Sequence, residues 1–230
     1  MPSRSFRSFD TLDIKVRAIC GASIGAIVGA SYACGVSPRE QLEIFTSQEF
    51  KKIFKFRPWR GALFDIDKNA TILTKLIPHG DLSNTKIPML VSVVDLYSGK
   101  EMIFHEGNLH ALCLGSSALV PIFPKVQYQD MLLVDGGVIN HMPITPLRDF
   151  DLPIVGVNLH PRGDLSSDYS WWQMVKRVHF LNTFSSGLSN EQECDIVISS
   201  SEIRQFSIFS MKHLESLFEM GYKETLKKFS

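Results

Sequence analysis

Ile19-Cys20-Gly21-Ala22-Ser23-Ile24-Gly25-Ala26-Ile27-Val28-Gly29 is the stretch from which the rest of the chain is read. An apolar run, Val16 to Cys20, stops at Gly21, and small and apolar residues resume at Ile24, the pattern of strand, abrupt turn and helix. Ser23 sits at the apex. Gly21 and Gly25 flank it at the Gly-x-Ser-x-Gly spacing of a nucleophile elbow, where small neighbours let the backbone turn sharply and leave the hydroxyl exposed at the sheet edge. A helix starting there also turns its free amides and the positive end of its dipole toward that hydroxyl. Ile24, Ile27 and Val28 form an apolar stripe, while Gly25, Ala26, Gly29 and Ala30 keep the helix thin. The same residues also suit a plain strand-to-helix turn with a serine N-cap. A second site has to separate the two readings.

With 230 residues, 44% of them hydrophobic, the chain is long enough to bury a full core as a single domain. Lys plus Arg equals Asp plus Glu at 24 each, so no net field draws the chain to nucleic acid or to an anionic membrane. Nucleic acid is not an expected partner, and any lipid contact has to be mainly apolar. Cys20, Cys34, Cys113 and Cys194 are scattered without metal or redox spacing, which reads as reduced, buried thiols; no metal and no cofactor is expected. Met1 to Asp10 lacks the apolar centre of a signal peptide, and no apolar run reaches the length of a membrane span. The expectation is a soluble, cytoplasmic protein, with peripheral membrane contact left open.

In order along the chain, Ser8 to Lys15 reads as the end of a helix and a loop, and Val16 to Cys20 as the first strand. The helix after Ser23 runs to about Cys34, where Gly35 suits a left-handed closure. Ser37-Pro38-Arg39-Glu40 is a capping box opening a second helix, with Leu42, Phe45, Ile53 and Phe54 as core candidates. Phe54 to Phe64, basic and aromatic, reads as a surface loop whose rings pack on the core, with a lipid-contacting flap as the second reading. Ala70 to Ile77 reads as a short helix, Met89 to Val94 as a strand buried on both faces, and Lys100 to Phe104 as its hairpin partner. A helix at Leu109 to Leu114, strands at Gln127 to Val134, Ile154 to Leu159 and Ile196 to Ile198, and helices at Trp171 to Phe184 and Met211 to Phe229 complete the reading.

Asp135 follows an apolar strand and precedes Gly136 and Gly137, so its carboxylate emerges at a strand end beside a backbone without side-chain bulk. A carboxylate placed so can accept a serine proton when burial raises its pKa or a tight hydrogen bond aligns the pair. Taken alone it is equally an Asp-Gly-Gly turn.

Together, Gly21-Ala22-Ser23-Ile24-Gly25 and Asp135-Gly136-Gly137-Val138 resemble the paired motifs of the patatin-like phospholipases. The likeness extends to Val94-Asp95-Leu96-Tyr97-Ser98-Gly99, to Gly115-Ser116-Ser117-Ala118-Leu119-Val120-Pro121 with Phe123-Pro124, to Ile139-Asn140 ahead of Pro143, and to the last helix with Gly221-Tyr222. The resemblance implies an α/β fold, a three-layer sandwich with a mostly parallel central sheet between helices, over a single domain at 1–230. It also implies that Ser23 is the nucleophile and Asp135 the general base of a dyad without histidine. The expected activity is hydrolysis of acyl esters of phospholipid, lysophospholipid or neutral lipid through an acyl-enzyme, without a metal.

Members of that family carry a first strand and a glycine-rich loop whose amides stabilise the oxyanion. No glycine precedes Gly21 here, so both are expected to be missing, leaving the amide of Ile24 as the oxyanion donor. Loss of one such donor typically costs about 10²–10³ in turnover. A catalytically weak or inactive lipid-binding protein on the same fold is therefore the alternative. Two further readings fit the sequence less well. A Ser-Asp-His order with His141, His160 or His179 needs more strands before the elbow than this sequence has room for, and His141 better fills the loop after Asp135. A nucleotide-binding reading lacks a phosphate-loop lysine after Gly25, and Glu40 falls in a helix.

Overall fold

The computed structural model describes residues 2–58, 61–67, 70–159, 187–200, 202–203 and 213–229. The first half runs α1 (Pro2–Thr11), β1 (Ile19–Gly21), α2 (Ile24–Ala33), α3 (Pro38–Thr46), α4 (Gln48–Lys51), β2 (Phe54–Phe56), β3 (Phe64–Ile66) and α5 (Thr71–Leu76). Then come β4 (Met89–Asp95), β5 (Lys100–Phe104), α6 (Leu109–Ser116), β6 (Val126–Tyr128), β7 (Met131–Asp135), β8 (Val155–Asn158), α7 (Gly187–Gln192), β9 (Ile196–Ser199) and α8 (Leu214–Phe229).

β4 is the hub of the main sheet. Its continuous apolar run is buried on both faces, with Val91 and Val93 wholly inaccessible. β1 lies parallel to it from Ile19↔Met89 to Gly21↔Val91, and β5 antiparallel from Val91↔Phe104 to Asp95↔Lys100. β7 is also antiparallel, from Val93↔Asp135 to Asp95↔Leu133, and β6 follows outside it. Val91 is shared by Gly21 and Phe104, and Val93 by Asp135 and Met102. A strand has two hydrogen-bonding edges, so β5 takes one and β1 and β7 divide the other, end to end. Their C-terminal ends meet across Ser92. β8 and β9 form a separate parallel pair.

Helices cover this sheet. α2 and α6 pack against β1, β4 and β7 and against each other. Ala26, Ala30 and Ala33, all inaccessible, let α2 come close, and Gly29 faces Ile19 and Met89 with no room for a Cβ. α8 packs on α1: Ser8 Oγ donates to the Tyr222 carbonyl at 3.3 Å, Thr225 Oγ1 to Ser5 Oγ at 3.2 Å, and the Phe9 and Phe229 rings meet edge-on. A mixed sheet flanked by helices is the α/β class expected from the sequence.

Most elements fall where the sequence places them. Gly35 closes α2 at φ 92°, and the capping box forms, with Glu40 N donating to Ser37 Oγ at 3.3 Å and Ser37 N to Glu40 Oε2 at 2.8 Å. Three local readings change. The first strand is Ile19–Gly21, because pairing with β4 begins only at Met89, where Ile19 N donates to the Pro88 carbonyl. Gln127 to Val134 is two strands, with Gln129 at φ 52° turning the chain between them. Phe54 to Phe64 is partly an antiparallel ribbon, in which Phe54 faces Ile66 and Phe56 faces Phe64, with Lys55 bonded to Asp67 at 3.1 Å. Phe54 packs on Phe50 and Phe123 as expected, whereas Phe56 stays 63% exposed. The helix expected over Trp171 to Phe184 lies outside the described residues.

Candidate active site

The turn at Ser23 follows from crowding at one glycine. A Cβ on Gly21 would lie 2.6 Å from the Gly25 carbonyl oxygen and 2.7 Å from the Ala26 nitrogen, so α2 starts as close to β1 as a bare backbone permits. Ser23 takes φ 55° and ψ −130°, a conformation that L-residues occupy only when the surroundings impose it. Although Ser23 stands at the N-cap position of α2, its hydroxyl makes no capping bond. It donates to Asp135 Oδ2 at 2.6 Å. The side chain that would cap a plain turn is thus turned to the carboxylate.

Asp135 ends β7 and is 4% exposed. Its Oδ1 accepts the Gly137 amide at 2.8 Å, so the Asp-Gly-Gly turn and the serine contact use different oxygens of one carboxylate. Burial pushes its carboxyl up to about 6, against the opposing pull of the bonds from Ser23 and Gly137. Gly136 has no room for a side chain, since a Cβ would lie 2.4 Å from the Ser92 carbonyl oxygen. At Gly137 a Cβ would stand 3.0 Å from Asp135 Oδ1, a tight but lesser conflict, and 3.9 Å from the His141 Cβ. His141 lies in the loop after Asp135, and His160 and His179 lie outside the described residues.

The two remaining motif positions behave differently. Gly25 meets nothing within 4 Å of a notional Cβ, so its smallness leaves space open beside Ser23 and is not required by packing. Ile24, the first residue of α2, has an amide with no hydrogen-bond partner among the described residues and a side chain 40% exposed. Among the described residues no group of three or more His, Cys, Asp or Glu side chains is placed to hold a metal ion. Cys20, next to the elbow, is a free thiol that burial and the Glu101 charge push up to about 12.

Sequence reasoning missed the end of α6. Ser116 Oγ accepts the Ser23 amide at 2.9 Å and donates to the Ser92 carbonyl at 2.6 Å, and the Ala118 carbonyl accepts the Asp135 amide at 3.1 Å. Gly115 permits this approach, as a Cβ there would lie 2.8 Å from the Leu133 side chain.

The family model for patatin-like phospholipases matches residues 8–148, which include Ser23 and Asp135. An uncharacterized NTE family protein of Mycobacterium tuberculosis is 23% identical over 131 residues, 56% of this chain and 36% of that protein. Lysophospholipase NTE1 of Cryptococcus neoformans is 24% identical over 194 residues, 75% of this chain and 12% of that protein. The chain spans well under two thirds of the length of either relative. With the match covering more than half of its residues, the chain belongs to the patatin-like phospholipase family.

Proposed function

We propose that this chain is a lipid acyl hydrolase in which Ser23 is the nucleophile and Asp135 its general base. The observation that carries the reading is the 2.6 Å bond from Ser23 Oγ to a carboxylate buried at the end of β7. A carboxyl near its usual value is a weak base toward an alcohol. One raised to about 6 remains ionised at neutral pH and holds a proton more firmly once it arrives.

In this mechanism Ser23 Oγ attacks the ester carbonyl of a phospholipid or lysophospholipid while Asp135 takes its proton. The tetrahedral oxyanion faces the free amide of Ile24 at the start of α2. Its collapse expels the lipid alcohol, which receives the proton from Asp135, and leaves the acyl group on Ser23. Asp135 then takes a proton from water, which attacks the acyl ester; the bond to Ser23 Oγ breaks, Asp135 returns that proton to Oγ, and the fatty acid is freed. Ile24, beside Ser23, and Val138, three residues after Asp135, are 40% and 39% exposed, so the two segments that carry the pair each present an apolar side chain suited to lipid contact. No helix among the described residues is long and apolar enough to cross a membrane.

The same reading takes 1–230 as one domain, because α8, beyond the family match, packs on α1. An inactive lipid-binding protein on the same fold is the second reading, since the exposed apolar side chain of Ile24 beside Ser23 suits lipid contact with or without turnover. Fatty-acid release from mixed phospholipid micelles, with Ser23→Ala as the blank, tests the proposal. Release that disappears in the variant supports the enzyme; equal background from both, with saturable fatty-acid binding, supports the second reading.

A further inference from the structure

β1 and β7 share one edge of β4 without touching the position between them. Gly21 pairs with Val91 and Asp135 with Val93, so on this edge the strand register steps over Ser92, which faces Ile103 of β5 on the other edge and whose carbonyl accepts the Ser116 hydroxyl. The elbow leaves a second loose group: the Ser23 amide, lifted out of both strand and helix by φ 55°. A buried backbone donor and acceptor cannot stay unpaired without cost. Ser116, inaccessible to solvent, satisfies both through one hydroxyl. Its single proton goes to the Ser92 carbonyl at 2.6 Å, which turns a lone pair to the Ser23 amide at 2.9 Å.

We propose that Ser116 is the positioning residue of the nucleophile: it bridges the junction of β1 and β7 and fixes the Ser23 main chain in its elbow. This inference rests on the serine–aspartate reading for its kinetic consequence, though not for its structural one. Two residues on, just past α6, the Ala118 carbonyl accepts the Asp135 amide at 3.1 Å, so one short segment, 116–118, bonds the main chain of both halves of the pair. Without the Ser116 hydroxyl the Ser23 backbone loses the bond that opposes relaxation of φ, and Oγ drifts from Asp135. Misplacement of a reacting group by about 1 Å can cost about 10² in rate.

The test compares wild type, Ser116→Ala and Ser116→Thr in two measurements on the full chain. The first is hydrogen exchange at the Ser23 amide by NMR, which needs no turnover. It is expected to speed up at least about ten-fold in Ser116→Ala and to return toward wild type in Ser116→Thr, which keeps a hydroxyl. The second is Ser23-dependent ester hydrolysis, with kcat falling about 10²-fold in Ser116→Ala, KM unchanged, and the acid midpoint unmoved because burial of Asp135 is intact. A Ser23 amide equally protected in Ser116→Ala overturns the proposal. So does undiminished kcat in that variant while Ser23→Ala is inactive. If wild type itself shows no Ser23-dependent turnover, the catalytic reading fails, and the exchange result alone still decides whether Ser116 fixes the elbow.

Discussion

Ser23 and Asp135 are 112 positions apart in the chain and 2.6 Å apart in the fold, because the strands that carry them approach one edge of β4 from opposite ends. β1 delivers the serine just past Val91, and β7 delivers the aspartate opposite Val93. Ser92 alone separates the two arrivals. The pair is thus set by strand register, which core packing enforces: a slip of β7 by one residue would turn Asp135 to the other face.

On the proposed dyad, the raised carboxyl of Asp135 sets the acid limb of activity. Ester hydrolysis is expected to fall below about pH 6, where Asp135 gains a proton and stops accepting one from Ser23. A pH–rate profile checks this, and Asp135→Asn should lower kcat by about 10³ without a remaining acid limb.

Stability should move the opposite way. The native state holds the Asp135 proton up to about pH 6, whereas the usual carboxyl value is 3.8. Native protein then binds more protons than unfolded protein between those values, so the Asp135 contribution to stability falls as pH rises through that window. The full penalty above pH 6 is about 3 kcal/mol. Asp135→Asn has no charge to bury, so its melting temperature should exceed wild type by several degrees at pH 7.5 and match it near pH 4. Equal melting temperatures at pH 7.5 would contradict this account of the burial.

The two glycines flanking Ser23 should answer differently to alanine. Gly21→Ala puts a methyl 2.6 Å from the Gly25 carbonyl, and relief requires moving α2, at a cost of about 1–3 kcal/mol and loss of the elbow. Gly25→Ala meets nothing within 4 Å and gains helix propensity, so its melting temperature should hold or rise slightly. Thermal melts of the two variants distinguish crowding from motif membership.

The local parts of this site were legible because each leaves a short-range signal. Gly21 before Ser23 and the Ser37–Glu40 box solve steric or capping problems within a few residues, and the Asp135-Gly136-Gly137 turn closes locally through the Gly137 amide. What escaped depends on distant partners. Ser116 belongs to a segment the sequence singles out, but its bonds reach 93 positions to Ser23 and 24 to Ser92, beyond any periodicity. The β6–β7 turn was hidden for a different reason: Gln129 adopts φ 52° without the Gly or Asn that usually marks such a turn. At Gly25 the motif suggested tight packing, whereas the fold leaves the position open.

Gly136→Ala probes the other half of the pair. Its methyl would meet the Ser92 carbonyl at 2.4 Å, forcing the end of β7 away from β4 and taking Asp135 with it. Loss of Ser23-dependent hydrolysis, together with a lower melting temperature, is the expected result.

The most direct measurement of the central claim is covalent labelling by a fluorophosphonate ester, with the modified residue mapped by mass spectrometry in wild type and Asp135→Asn. The account predicts a single adduct on Ser23 in wild type, forming faster as pH rises through about 6 and at least about 10²-fold slower in Asp135→Asn. An adduct elsewhere, no adduct at all, or labelling of Ser23 indifferent to Asp135 would contradict it.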